Sequence, residues 1–126
     1  MHIAAARESP RNERAGQISY LLLASGQFGS TRMAITMVHG DPGSEQPVHS
    51  HPEAEQVYVV VAGTGLMRVN HEALDVGPGT LVFIPPGAKH SILNTGSVPL
   101  VYVSATSPPF DMPAPESVFS YGPPGE

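Results

Sequence analysis

Two histidines stand one residue apart in the stretch PVHSHPEAEQVYVVVAG, just before a run of β-branched residues. Side chains at positions i and i+2 of an extended chain point to the same face, so His49 and His51 can bind one ion together with little strain. A third histidine, His90, follows the rigid turn PPGAK and opens a strand of its own. The sequence contains no cysteine. A metal site in this chain must therefore be built from histidine, carboxylate or amide ligands.

The three histidines belong to two longer patterns. The first pattern places five residues between Gly43 and the His-x-His pair and closes at Gly63. The second is a run of glycine, proline, histidine and asparagine at fixed spacings, formed by Gly79, Pro85, Gly87, His90 and Asn94. In order and spacing these patterns resemble the two motifs of the cupin superfamily. About fifteen residues separate them, which is similar to the compact single-domain microbial cupins.

One position departs from the cupin pattern, which has a glutamate between the histidine pair and the closing glycine. Counting back from Gly63 by the motif's spacing reaches Gln56, whereas counting forward from His51 reaches Glu55. Neighbours on a strand face opposite ways, so only one of the two can join the histidines. We favour Gln56, because the strand fixes its spacing to Gly63 while the PEAE loop can vary in length; Glu55 is the alternative.

The resemblance implies a centre of His49, His51, Gln56 and His90 around one divalent transition metal ion. Imidazole and amide ligands suit manganese, iron, nickel, zinc or copper better than calcium or magnesium. Four neutral ligands leave the charge of the ion uncompensated, which favours an anionic, chelating substrate. Coordination positions left open point to catalysis more than to a structural role.

The family implies several reaction types and does not select one. Cupins similar to this chain include dioxygenases, isomerases, decarboxylases and lyases, so we expect a metal-dependent enzyme that acts on a small anionic metabolite. Glu55, Tyr58 and Tyr102 are the candidates for proton transfer, although no motif marks them. The alternative is a non-catalytic cupin that binds a sugar or an organic acid.

The elements that must position these residues are predicted to be strands. Only 13% of the residues are charged, and the chain has 13 glycines and 14 prolines, a mixture typical of short strands joined by tight turns. Strand signals recur about every ten residues, and no segment shows helical spacing over three turns. The prediction is an all-β fold, a single antiparallel jelly-roll barrel over residues 17–108 that carries the motifs at 43–63 and 79–94. Residues 1–16 are predicted to be a loosely held arm, and residues 109–126 a proline-rich strap or tail.

Charge and composition narrow the partners and the compartment. The net charge is −5 with no basic cluster, so nucleic acid and anionic membrane surfaces are not expected partners. No apolar run reaches the ~18 residues of a membrane-spanning helix. No secretory signal is recognisable at the N-terminus, and a cytoplasmic location is expected. We also predict a homodimer, because an unpaired edge strand such as Ile18–Ala24 must be covered.

Overall fold

Nine β-strands contain about half of the residues that the structure, a computed structural model, describes, which are residues 1–109. The strands are β1 (Arg11–Arg14), β2 (Gln17–Leu23), β3 (Ala34–Gly40), β4 (Glu55–Ala62), β5 (Gly65–Val69), β6 (Glu72–Val76), β7 (Leu81–Ile84), β8 (His90–Asn94) and β9 (Leu100–Ser107). Two short 3-10 turns, Ala6–Glu8 and Gln27–Gly29, complete the regular structure. No helix in this part of the chain is long and apolar enough to cross a membrane.

The strands form two antiparallel sheets. The larger sheet has the order β1-β2-β3-β9-β4-β7, and the smaller has the order β6-β5-β8. Alternate residues of β4, β8 and β9 point inward, as the period of two in an extended chain requires. The core between the sheets contains Val38, Tyr58, Val60, Met67, Val76, Ile84, Ala88, Ile92, Leu100 and Tyr102. The predicted all-β jelly-roll fold is confirmed.

The loop that carries the histidine pair runs beside β8 and extends the smaller sheet. Bridges join Glu45 to Leu93 and His49 to His90. Between them, four steps along the loop match three steps along β8, so the loop contains a β-bulge, with Pro47 inside it. The bulge changes which loop residues face the interior, and it matters for the site described below.

Two residues of the sequence motifs, Gly63 and Asn94, support the backbone conformation of turns. Gly63 has φ +81°, and a Cβ atom there would lie 2.5 Å from the carbonyl oxygen of Pro99, so only glycine fits. The buried side chain of Asn94 donates to the carbonyl oxygens of Gly40 and Val98 at 3.0 and 2.9 Å. Both residues therefore hold the turns that close the fold.

The ends of the barrel differ from the sequence prediction in one respect. The prediction that Ile18–Ala24 is an unpaired edge strand is wrong, because Arg11–Arg14 form β1 and pair with β2 on one side while β3 pairs on the other. Strand β1 lies inside the segment 1–16 predicted as an arm. The domain boundaries stay a prediction. The homodimer also stays a prediction, but an uncovered edge strand at Ile18–Ala24 no longer supports it. Apart from residue 109, the predicted strap or tail at 109–126 lies outside the described residues.

Candidate metal centre

His49, His51 and His90 converge at one end of the fold. The antiparallel bridge sets His49 opposite His90, with mutual backbone hydrogen bonds of 3.1 and 2.9 Å. The ring centroid of His90 lies 4.1 Å from that of His49 and 5.6 Å from that of His51. One nitrogen from each of the three rings lies within 4.8 Å of the others. This group can hold a metal ion after small side-chain adjustments.

Two of the histidines are oriented by backbone carbonyl groups. The Nδ1 atom of His49 lies 2.8 Å from the carbonyl oxygen of Pro47, and that of His90 lies 3.0 Å from the carbonyl oxygen of Ala88. A carbonyl only accepts, so each ring carries its proton on Nδ1 and leaves the Nε2 lone pair available. The Nε2 atom of His90 is buried and has no hydrogen-bond partner among residues 1–109. Carbonyl partners of this kind orient metal-binding histidines.

Burial favours the neutral form of two of the histidines, His51 and His90. It lowers the pKa of His90 from 6.5 to about 4; the bond to Ala88 opposes this shift, while His49 and His51 reinforce it. Burial also lowers the pKa of His51, and the neighbouring His49 adds to the effect. Neutral imidazole is the form that binds metal. The folded chain thus favours the neutral, metal-binding form of these two histidines in the absence of an ion.

Gln56 lines a cavity that His49 and His51 also line, and its side-chain oxygen has no partner among the described residues. Its side chain is only 6% exposed, and its Nε2 atom donates to Ser104 Oγ at 2.8 Å and to Thr106 Oγ1 at 2.9 Å. Both amide hydrogens are thereby used. The Oε1 atom is buried without a partner in the described part of the chain, which is a costly arrangement unless a cation or a donor occupies the cavity.

Glu55 and the two tyrosine candidates lie in different surroundings. Glu55 is exposed on the opposite face of β4 and does not line this cavity, whereas Tyr58 and Tyr102 do. Burial raises the pKa of Tyr58 well above 10, with Tyr102 adding to the shift and a hydrogen bond to Gln46 opposing it. Burial likewise raises the pKa of Tyr102. Both phenols therefore stay protonated near neutral pH.

The two phenols share one acceptor. The hydroxyl groups of Tyr58 and Tyr102 donate to Gln46 Oε1 at 2.8 and 3.2 Å. Their rings stack with centroids 4.7 Å apart, and the ring of Tyr58 meets that of His90 edge-on at 5.9 Å. The cluster thus links the histidine group to the floor of the cavity.

The cavity itself has a volume of about 270 Å³, close to the lower limit of roughly 300 Å³ for small-molecule pockets. No aspartate or glutamate of the described chain lines it, and Arg14 is its one guanidinium or ammonium group. Its other lining residues are Ser19, Ala34, Thr36, Val38, Gln46, Pro47, His49, His51, Gln56, Tyr58, Tyr102, Ser104 and Thr106. The cavity is therefore suited in charge to a small anion.

Sequence reasoning missed six polar residues of the cavity, Arg14, Ser19, Thr36, Gln46, Ser104 and Thr106. Ser104 and Thr106 carry a signal in retrospect, since they are alternate polar positions on the inward face of an apolar strand. Arg14 and Gln46 carry none, because their positions depend on strand pairing and on the bulge.

Comparison with known proteins matches residues 36–106 to the family model described as "Cupin domain". The "Uncharacterized protein MJ1618" of Methanocaldococcus jannaschii is 30% identical over 101 residues, which cover 80% of this chain and 81% of that protein. The "Dimethylsulfoniopropionate lyase DddQ" of Ruegeria pomeroyi is 35% identical over 72 residues. That alignment covers 56% of this chain and 35% of the lyase.

A solved structure shares the fold across most of the chain. The crystal structure of "a predicted oxalate decarboxylase" from Thermotoga maritima superposes with a TM-score of 0.74 at 22% sequence identity. The match covers 85% of this chain and 98% of the other. At this level of identity the likeness concerns the architecture.

Proposed function

Because this chain belongs to the cupin family, we propose that it is a metal-dependent enzyme that acts on a small, anionic metabolite. His49, His51, His90 and Gln56 would hold one divalent transition metal ion of manganese, iron, nickel, zinc or copper. The reaction would be of the dioxygenase, isomerase, decarboxylase or lyase type. Similarity to a lyase over part of the chain supports this class of chemistry.

The observation that carries the proposal is that the histidine group and Gln56, which lines the same cavity as His49 and His51, each contain a buried acceptor without a partner among the described residues. Within the described residues, His90 Nε2 and Gln56 Oε1 have no hydrogen-bond partner, and both belong to side chains fixed by other contacts. Leaving either acceptor empty costs on the order of 1–3 kcal/mol. A cation between them would remove that cost. The donor set, imidazole and amide, suits the transition metals named above.

A bound ion of this kind supplies Lewis acidity toward an oxygen of the substrate. The chain's own residues bind and enclose the substrate. Arg14 provides positive charge in the wall, and no described carboxylate opposes it. Tyr58 and Tyr102 form an apolar, stacked floor that limits access of water to the buried face of the histidines. Proton transfer by these phenols is disfavoured by their raised pKa values.

The proposal is tested by turnover with and without metal. Metal-free protein would be loaded separately with each of the five metals and incubated with a panel of hydroxy-, keto- and dicarboxylic acids. Product formation and oxygen consumption would be followed together. The proposal expects that the metal-loaded protein turns over at least one of these acids. Treatment with a chelator should abolish this turnover, and the His90→Ala variant should lack it. Turnover that survives both the chelator and His90→Ala would refute the metal role.

A second function, binding of a small organic acid without turnover, is favoured by one observation. The cavity contains no described carboxylate, and its phenols are held protonated, so its lining offers no general base besides the histidines that would hold the metal. Under this alternative the metal is an anchor for the ligand. Saturable binding of an acid by metal-loaded protein, with no chemical change and no oxygen uptake, would select it.

A further inference from the structure

Gln46 is a polar residue of the cavity whose role neither the metal site nor the core explains. It lies in the loop beside β8, three positions before His49. In a regular strand, residues three apart face opposite sides. The bulge between the Glu45 and His49 bridges shifts the register by one residue, and both Gln46 and His49 consequently line the cavity.

The backbone and the side chain of Gln46 are both fixed. Its backbone N–H donates to the carbonyl oxygen of Ile92 at 3.0 Å. Its Oε1 atom accepts from the hydroxyl groups of Tyr58 and Tyr102 at 2.8 and 3.2 Å. These buried hydroxyls need an acceptor, and Gln46 Oε1 is the one recorded for them among residues 1–109. The amide is therefore held with its oxygen toward the tyrosines.

The other end of the amide is left facing the cavity. Within the described chain, Gln46 Nε2 has no hydrogen-bond partner, and it is not among the buried unpartnered atoms. Gln46 thus mirrors Gln56: hydroxyl groups hold both amides, but Gln56 offers a bare oxygen and Gln46 offers bare N–H groups. An amide donor fixed in advance binds an anionic oxygen without a further ordering cost.

We propose that Gln46 is a substrate-positioning residue whose Nε2–H donates to a carboxylate oxygen of the ligand, with Tyr58 and Tyr102 fixing its direction. This inference rests on the proposed function, since it assumes that the ligand occupies the cavity beside the histidines. It assigns the ligand class as a small carboxylate with one oxygen at the histidine cluster and another within reach of Gln46.

The test uses oxalate and pyruvate as probes, titrated by calorimetry into the full-length protein loaded with Mn²⁺. In Gln46→Glu, the carboxylate still accepts from both tyrosine hydroxyls, but the donor is lost. We expect the dissociation constant of the better probe to rise at least about tenfold, as for a lost hydrogen bond to a charged group. Gln46→Met removes the donor without adding charge and should likewise raise the dissociation constant.

The matched control is Val48→Glu, which adds the same charge at an exposed position of the same loop. It should bind the probes nearly as wild type does. The double variant Tyr58→Phe/Tyr102→Phe keeps the amide donor but frees its orientation, so its affinity should fall between those of wild type and Gln46→Glu. A purely structural role for Gln46 would not produce this order.

Metal content, measured on the same samples, separates this inference from the proposed function. Wild-type protein that binds metal but neither probe would overturn the carboxylate assignment and leave the metal site standing. The positioning role would also be overturned if Gln46→Glu bound the probes with wild-type affinity, or if this variant lost its metal. If wild type binds no metal, the proposed function fails, and Gln46 is judged by probe affinity in the metal-free protein.

Discussion

Acidification is expected to destabilise the metal-free protein through His90. This side chain is 1% exposed, and burial lowers its pKa from 6.5 to about 4. As the pH falls below about 6.5, the unfolded chain takes up a proton at this position and the folded chain does not. The unfolded state then binds more protons, so stability falls with the pH until about pH 4, where the folded protein also protonates.

The size of the effect follows from the two pKa values. Between about pH 7.5 and about pH 5, His90 alone should lower the free energy of unfolding by about 2 kcal/mol. His51 acts in the same direction, because its pKa is also lowered. Small domains are stable by only about 5–15 kcal/mol. The loss is therefore large enough to measure.

Urea denaturation of chelator-treated protein at several pH values above about 5 measures this dependence, since most carboxylates stay ionised there. In His90→Gln the slope should be much shallower than in wild type. His71→Gln changes an exposed histidine outside the site and should keep the wild-type slope. Stability that is flat over this range, or a slope that is unchanged in His90→Gln, would refute the account of a buried neutral histidine.

Two further predictions concern the motif glycines and the acid next to Gln56. Gly63→Ala should cost several kcal/mol more in unfolding free energy than Gly79→Ala, because both have positive φ but only Gly63 lacks room for a Cβ atom; equal melting temperatures of the two variants would contradict this. Glu55→Gln should leave the metal content unchanged, because Glu55 is exposed on the face of β4 opposite the cavity; loss of metal on elemental analysis would show that the acid is a ligand.

Strand alternation explains why much of the site was predictable. A period of two put His49 beside His51 and turned Gln56 and Tyr58 to the same face of β4, as the structure has them. Local spacing was enough because these residues belong to single strands or to the loop leading into one. The all-β fold class likewise followed from short strands and turns of regular spacing.

The remaining residues depend on pairings that local spacing does not determine. Gln46 faces the cavity because of a one-residue bulge against β8, and Arg14 reaches it because β1 pairs with β2. The same hairpin covers the strand that we had expected to be a free edge. Short, polar β1 has no apolar alternation to reveal it, so its pairing could be found only in three dimensions.

Elemental analysis of the purified protein tests the central claim most directly, with His90→Ala and Gln56→Ala analysed beside wild type. The account predicts about one transition metal ion per chain in wild type and loss of most of it in both variants, because each removes one buried, unpartnered acceptor. Wild type that stays empty after exposure to metal at about pH 8, where protons compete little with metal for imidazole ligands, would contradict the account. So would full metal content in Gln56→Ala, which would exclude the amide as a ligand.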